Sequence, residues 1–163
     1  MDENRFWSLI EVAWGAAENT AKLRQRLAEG KHTDEEASEI EEGLRDDVVP
    51  ALEEQLNNLS ADELLAFDRI LERKLYDIDR ADIHEHTDGS DDGFLYCRGF
   101  IVGVGREYYE AVLAKPARAI FDAECERMCY VSWHLYNDKF GDVPPSGISR
   151  ETASNTAGWE SAG

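Results

Sequence analysis

Long apolar runs are missing from this chain: none approaches the roughly 18 consecutive residues of a membrane span, so no transmembrane helix is expected. Basic residues are scarce as well, with 17 Lys and Arg against 35 Asp and Glu and a formal net charge of -18 at pH 7. Binding to nucleic acid or to anionic lipid needs clustered Lys and Arg that release counterions. Direct nucleic-acid and membrane partners are therefore not expected. Cysteine is limited to Cys97, Cys125 and Cys129, an odd number set in apolar helical surroundings, which reads as small buried hydrophobes instead of a disulfide framework. No serine elbow appears, and no Gly-rich phosphate loop, because Gly99, Gly103 and Gly105 lie inside an apolar helical run. No strand-like alternation of any length competes with the helical signal. The opening MDENRFWSLIE carries acids where a signal peptide has a basic end and an apolar stretch, so a cytoplasmic location is expected.

What is present is helical periodicity. Phe6, Leu9, Ile10, Ala13, Trp14 and Ala17 recur at spacings of three and four behind a candidate cap, Asp2, and Trp7 broadens that face into an aromatic contact surface. This surface leaves both a monomer and a homodimer open. Thr33 with Glu36, and Ser60 with Glu63, have capping-box spacing. Pro50 should interrupt the helix that the first box opens. Behind the second box, Leu64, Phe67, Leu71, Leu75 and Ile78 form an apolar stripe. The run from Phe94 to Val112 is apolar nearly all round and belongs in the middle of a domain, with Gly99 and Gly103 admitting a close neighbour. A last helix, ARAIFDAECERMCYVSWHLYNDKFG, should stop at Gly141. The expectation is an all-α fold: an irregular bundle of about five helices around one buried central helix, in a single domain over residues 1–141. Residues 142–163, rich in Pro, Gly, Ser and Thr and without a period, read as a flexible polar tail.

Candidate chemistry concentrates in HEHTDGSDDGFLYCRGF, residues 84–100. Against the calcium-loop pattern starting at Asp88, the twelfth position is Gly99 where a bidentate Glu is required, so the match fails where affinity is made. His84 and His86 with Asp92 form an alternative transition-metal set. The structural reading makes Asp91 the cap of the buried helix and gives Arg98 a carboxylate partner in Asp91, Asp92 or Glu124. The same Asp91, Asp92 and Arg98 are the candidate ligand-binding cluster. Cys125 and Cys129 share a helical face, whereas His134 points about 140° away from Cys129, so no catalytic residue is assigned there and no cofactor is implied. Trp159 stands alone in the polar tail.

Charge is the most uneven property. The stretch from Thr33 to Glu63 holds twelve acids and one base, Arg45. Glu35, Glu36, Glu39, Glu42, Asp46 and Asp47 make it a candidate docking face for a basic protein.

At SDDGFLYCRGFIVGVGREYYEAVLAKP the chain resembles the bacterial family known as domain of unknown function 4240. The opening MDENRFWSLIE is similar to the start of that family, and Ser60-Ala61-Asp62-Glu63 followed by Phe67 resembles its middle. The most specific part is Ser90 to Phe94 with Arg98, Gly105 and Tyr109. Where the family has an aromatic-rich run before the Ser-Asp-Asp, this chain has Asp79 to His86, which argues against the two histidines as a family site. The resemblance implies a helical bacterial domain and no particular reaction. The resemblance leaves function open, and the charge argument alone leads us to expect a non-enzymatic protein-interaction module. A toxin-neutralising immunity protein is one concrete form. The competing class is a small-molecule or metal-binding protein, or an enzyme, with its site in the segment His84 to Arg98.

Overall fold

The computed structural model describes residues 1–87 and 90–160. Among the described residues all regular structure is helical. Nine α-helices of five or more residues occur among the described residues, where about five helices were expected. They are α1 (Glu3–Ala13), α2 (Arg24–Glu29), α3 (Asp34–Gly43), α4 (Val49–Asn57), α5 (Ala61–Asp77), α6 (Asp91–Val104), α7 (Arg106–Ala114), α8 (Glu126–Phe140) and α9 (Thr156–Glu160). The excess arises because several expected helices break at identifiable residues.

Asp2 caps α1 by accepting the Arg5 N–H at 2.8 Å. The aromatic face of α1 turns inward: Phe6 lies 4.7 Å from Phe67, Trp7 lies 5.2 Å from Tyr109, and Trp14 donates its indole N–H to the Gly103 carbonyl at 3.0 Å. The surface that left a homodimer open is thus buried within one chain. A left-handed Gly30 (φ 68°) ends α2. Thr33 caps α3 through the Glu36 N–H at 3.1 Å, but the Glu36 carboxylate pairs with Arg26 at 2.8 Å instead of closing the box.

Pro50 interrupts the regular ladder without ending the helical run: a wide π-helical turn, Leu44–Val48, joins α3 to α4, and Pro50, which has no N–H to donate, sits in the first turn of α4. The second capping box is complete: the Ser60 hydroxyl accepts the Glu63 N–H at 3.3 Å, and the Glu63 carboxylate accepts the Ser60 N–H at 3.1 Å.

Helix α6 is the centre, with eleven of its fourteen residues buried. It ends earlier than expected. Gly105 takes φ 121°, a backbone region that disfavours side chains, and the chain restarts as α7. The expected helix through Val112 is therefore two. A Cβ on Gly99 would stand 2.5 Å from both the Cys125 carbonyl oxygen and the Cys129 sulfur, so glycine there sets how closely α8 approaches α6. Helix α8 begins at Glu126, not at Ala117, because Ala119–Cys125 forms an irregular loop with Asp122 at φ 60°. It packs across α6, α5 and α4, and Gly141 ends it.

Residues 143–160 do not hang free as a polar tail. They fold back as a strap, in which Arg150 is buried and donates to the Cys129 carbonyl and to Asp68. Part of its polar composition serves hydrogen bonds to buried groups.

Candidate functional site

The segment from His84 to Arg98 is chiefly a helix start with a buried cation behind it. Ser90, not Asp91, caps α6, accepting the Gly93 N–H at 3.1 Å. Asp91 and Asp92 occupy the exposed first turn, where their charge complements the positive end of the helix. Asp88 and Gly89 lie outside the described residues. His86 is exposed, whereas the His84 ring packs edge-on against Phe94 at 5.0 Å and beside Trp159 at 5.2 Å. Among the described residues no group of three or more His, Cys, Asp and Glu side chains is placed to hold a metal ion.

Arg98 is fully buried, and its hydrogen bonds run to oxygens other than the expected carboxylates. Nη1 donates to the Leu75 carbonyl at 2.9 Å, and Nη2 donates to the Arg150 carbonyl at 2.9 Å and to the Thr152 hydroxyl at 3.4 Å. Burial pushes its pKa below the usual guanidinium value, and the field of Asp79 opposes that shift. The strap is thereby tied to α6 and α5 at one point.

A carboxylate that the sequence reading passed over forms the second tie. Asp79 has no exposed surface, and it accepts four hydrogen bonds from the strap: the N–H of Ala153 at 3.0 Å and of Asn155 at 2.9 Å, the Ser154 hydroxyl at 3.3 Å and the Trp159 indole N–H at 2.9 Å. Trp159 is therefore a structural clasp. Asp68, also buried, accepts from Ser132 at 2.7 Å and from Arg150 at 2.8 Å. Asp68 was legible as unusual, since it occupies the buried stripe between Leu64 and Leu71, and a carboxylate there requires a cation or hydroxyl from elsewhere.

The cysteines are buried thiols. Burial pushes Cys129 up to about 12 and Cys125 up to about 11, which keeps both protonated at neutral pH and unsuited to nucleophilic attack.

The acidic face divides into two sets. Glu36 and Asp46 are neutralised by Arg26 and Arg45, whose hydrogen bonds hold both carboxyls below their ordinary range. Glu35, Glu39 and Glu42 are exposed, follow one another at helical spacings of four and three along α3, and have no ion-pair partner among the described residues. Asp47 stands exposed on the π-helical turn. Beside α3 lies a groove of about 310 Å³, bounded by Asp34, Ala37, Ser38 and Glu41 on one side and by Ile120 and Phe121 on the other. Phe121 is 74% exposed, a large apolar side chain at the edge of this acidic surface.

The family model for proteins of unknown function DUF4240 matches residues 30–138. The chain belongs to the DUF4240 family. No curated protein and no solved structure matches it. The DUF4240 match covers the acidic face, the Phe121 groove and all of α3 to α7. It includes Asp68, Asp79 and Arg98 but not the strap residues that bind them. No helix among the described residues is long and apolar enough to cross a membrane.

Proposed function

We propose that this DUF4240 protein is an interaction module that docks a basic protein partner on the α3 face. The observation that carries the reading is the row of Glu35, Glu39 and Glu42, three like charges at helical spacing that form no ion pair among the described residues. Such pairs are mildly destabilising to their own helix, and the cost is offset when a partner supplies Lys or Arg. The groove at Phe121 adds an apolar contact next to the charged rim, the arrangement in which a buried anchor gives affinity and the surrounding charges give rate and register. The segment His84 to Arg98 is the weaker claimant, because Arg98 and His84 are engaged within the fold.

The test is a triple variant, Glu35→Lys, Glu39→Lys and Glu42→Lys, titrated against a partner identified by crosslinking and purified. Affinity of the natural protein should fall steeply with added salt, and the variant should lose binding while melting at nearly the same temperature. A variant that binds as well as the natural protein would refute the reading.

A further inference from the structure

A second cleft, of about 260 Å³, lies on the strap side of the molecule between α5, α8 and residues 143–150. Its inner end is Asp68, which has no exposed surface. Oδ1 of that carboxylate is occupied by Ser132 and Arg150. Oδ2 is buried and receives no hydrogen bond among the described residues; Arg69 Nη1 stands 4.0 Å away. A buried carboxylate oxygen without a donor is uncommon in a native fold and calls for an explanation.

The neighbours decide what kind of group would supply one. Asp68 and Glu72 are balanced by Arg69 and Arg150, and both arginines are committed. Arg150 bonds Asp68 and the Cys129 carbonyl, while Arg69 bonds Glu72 at 3.2 Å and the Pro144 carbonyl. An anion would meet two carboxylates and no free cation. An apolar guest would leave Oδ2 unsatisfied. A cationic N–H donor would satisfy it, and the walls suit the rest of such a ligand: the Tyr130 ring already carries the Arg150 guanidinium at 5.4 Å, while Trp133 and Pro144 line the cleft and Trp133 is 40% exposed. Aromatic faces of this kind attract ammonium and guanidinium groups, and the net charge of -18 draws cations toward the protein.

We propose that this cleft binds the ammonium or guanidinium head of an organic cation, with Asp68 Oδ2 as acceptor and Trp133 as the wall. The site is independent of the α3 face. The same head group reaches it either on a free small molecule or as a Lys or Arg side chain of another protein.

The experiment follows the Trp133 indole N–H resonance during titration with ethylguanidinium, with N-ethylurea as the neutral isostere and with a blocked Gly-Arg-Gly peptide. Ethylguanidinium should give a saturable shift, and N-ethylurea should give none. Saturation by the free cation assigns a small-molecule source; saturation only by the peptide assigns a side chain and sustains the same chemistry. Asp68→Asn, which places an amide N–H where Oδ2 was, should abolish binding. Because Asp68 also holds Arg150, Trp133→Ala gives a second arm with little burden on the fold, monitored through backbone amides of residues 143–148, and it should weaken binding at least about tenfold, the scale of one good cation–aromatic contact. Phe140→Ala, at the far end of α8, should change nothing. The proposal is overturned if neither probe saturates, if the neutral isostere binds equally, or if Trp133→Ala binds as the natural protein does.

Discussion

Along α3, Glu35, Glu39 and Glu42 stand in water and form no ion pair among the described residues. Beneath the strap, Asp68 and Asp79 are wholly buried, and Asp79 alone gathers four hydrogen bonds from residues more than seventy positions away in the chain. The side chains have the same chemistry, and burial reverses their roles. An exposed carboxylate contributes little to folding and remains free for long-range attraction. A buried one costs desolvation unless its partners are supplied, so it dictates where the rest of the chain must lie.

The buried side should break first. Arg98→Leu would leave the Leu75 and Arg150 carbonyls without their donor and expose Asp79 to an uncompensated interior. The expected loss is about 3–5 kcal/mol in urea unfolding, and a loss below about 1 kcal/mol would remove Arg98 from the polar frame.

Asp79→Asn comes next. Its amide can satisfy only part of the four-donor set, so the loss should be about 1–3 kcal/mol, with faster proteolytic cleavage between residues 149 and 156. Unchanged protection of that segment would show that the strap is held elsewhere.

Alkaline titration sharpens the contrast from another direction. Burial raises Cys129 from the ordinary thiol value of 9.0 to about 12 and Cys125 to about 11. The folded state therefore retains protons that the unfolded state releases, and the stabilisation is complete below about pH 9 and declines as pH rises toward 12. Each thiol should contribute up to about 1.4 kcal/mol per pH unit within its window. Stability measured against pH should fall less steeply in Cys129→Ala, and an identical slope would mean that water reaches the thiol.

The smallest effect belongs to the exposed side. Glu39→Lys should change stability by no more than about 0.5 kcal/mol. A large loss in melting temperature would mean that the α3 face has a structural duty.

Much of the frame was legible in the sequence. The caps at Asp2, Thr33 and Ser60, the stripe from Leu64 to Ile78 and the buried run from Phe94 onward all rest on local periodicity and capping geometry. The breaks were harder to read. Gly105 looked like a packing glycine in an apolar helix, and only its positive φ separates α6 from α7. The strap was hidden for another reason: Arg150, Thr152, Ser154 and Trp159 have no period, because Arg150, Ser154 and Trp159 donate to acceptors on α5 and just beyond it, Thr152 accepts from Arg98 on α6, and none of them follows a continuous apolar face. Arg98 and Asp68, each a charge in an apolar stripe, were the available signals that distant polar partners were needed.

The double tie of the strap also bears on modularity. The stretch recognisable as DUF4240 stops at residue 138, yet Asp68, Asp79 and Arg98 each have hydrogen-bond partners between residues 150 and 159. Recognition at the level of sequence and autonomy at the level of folding therefore have different borders. A fragment cut at the former would strip Asp79 of its four strap donors and leave Asp68 and Arg98 each short of a partner, so the expressible unit extends through Trp159.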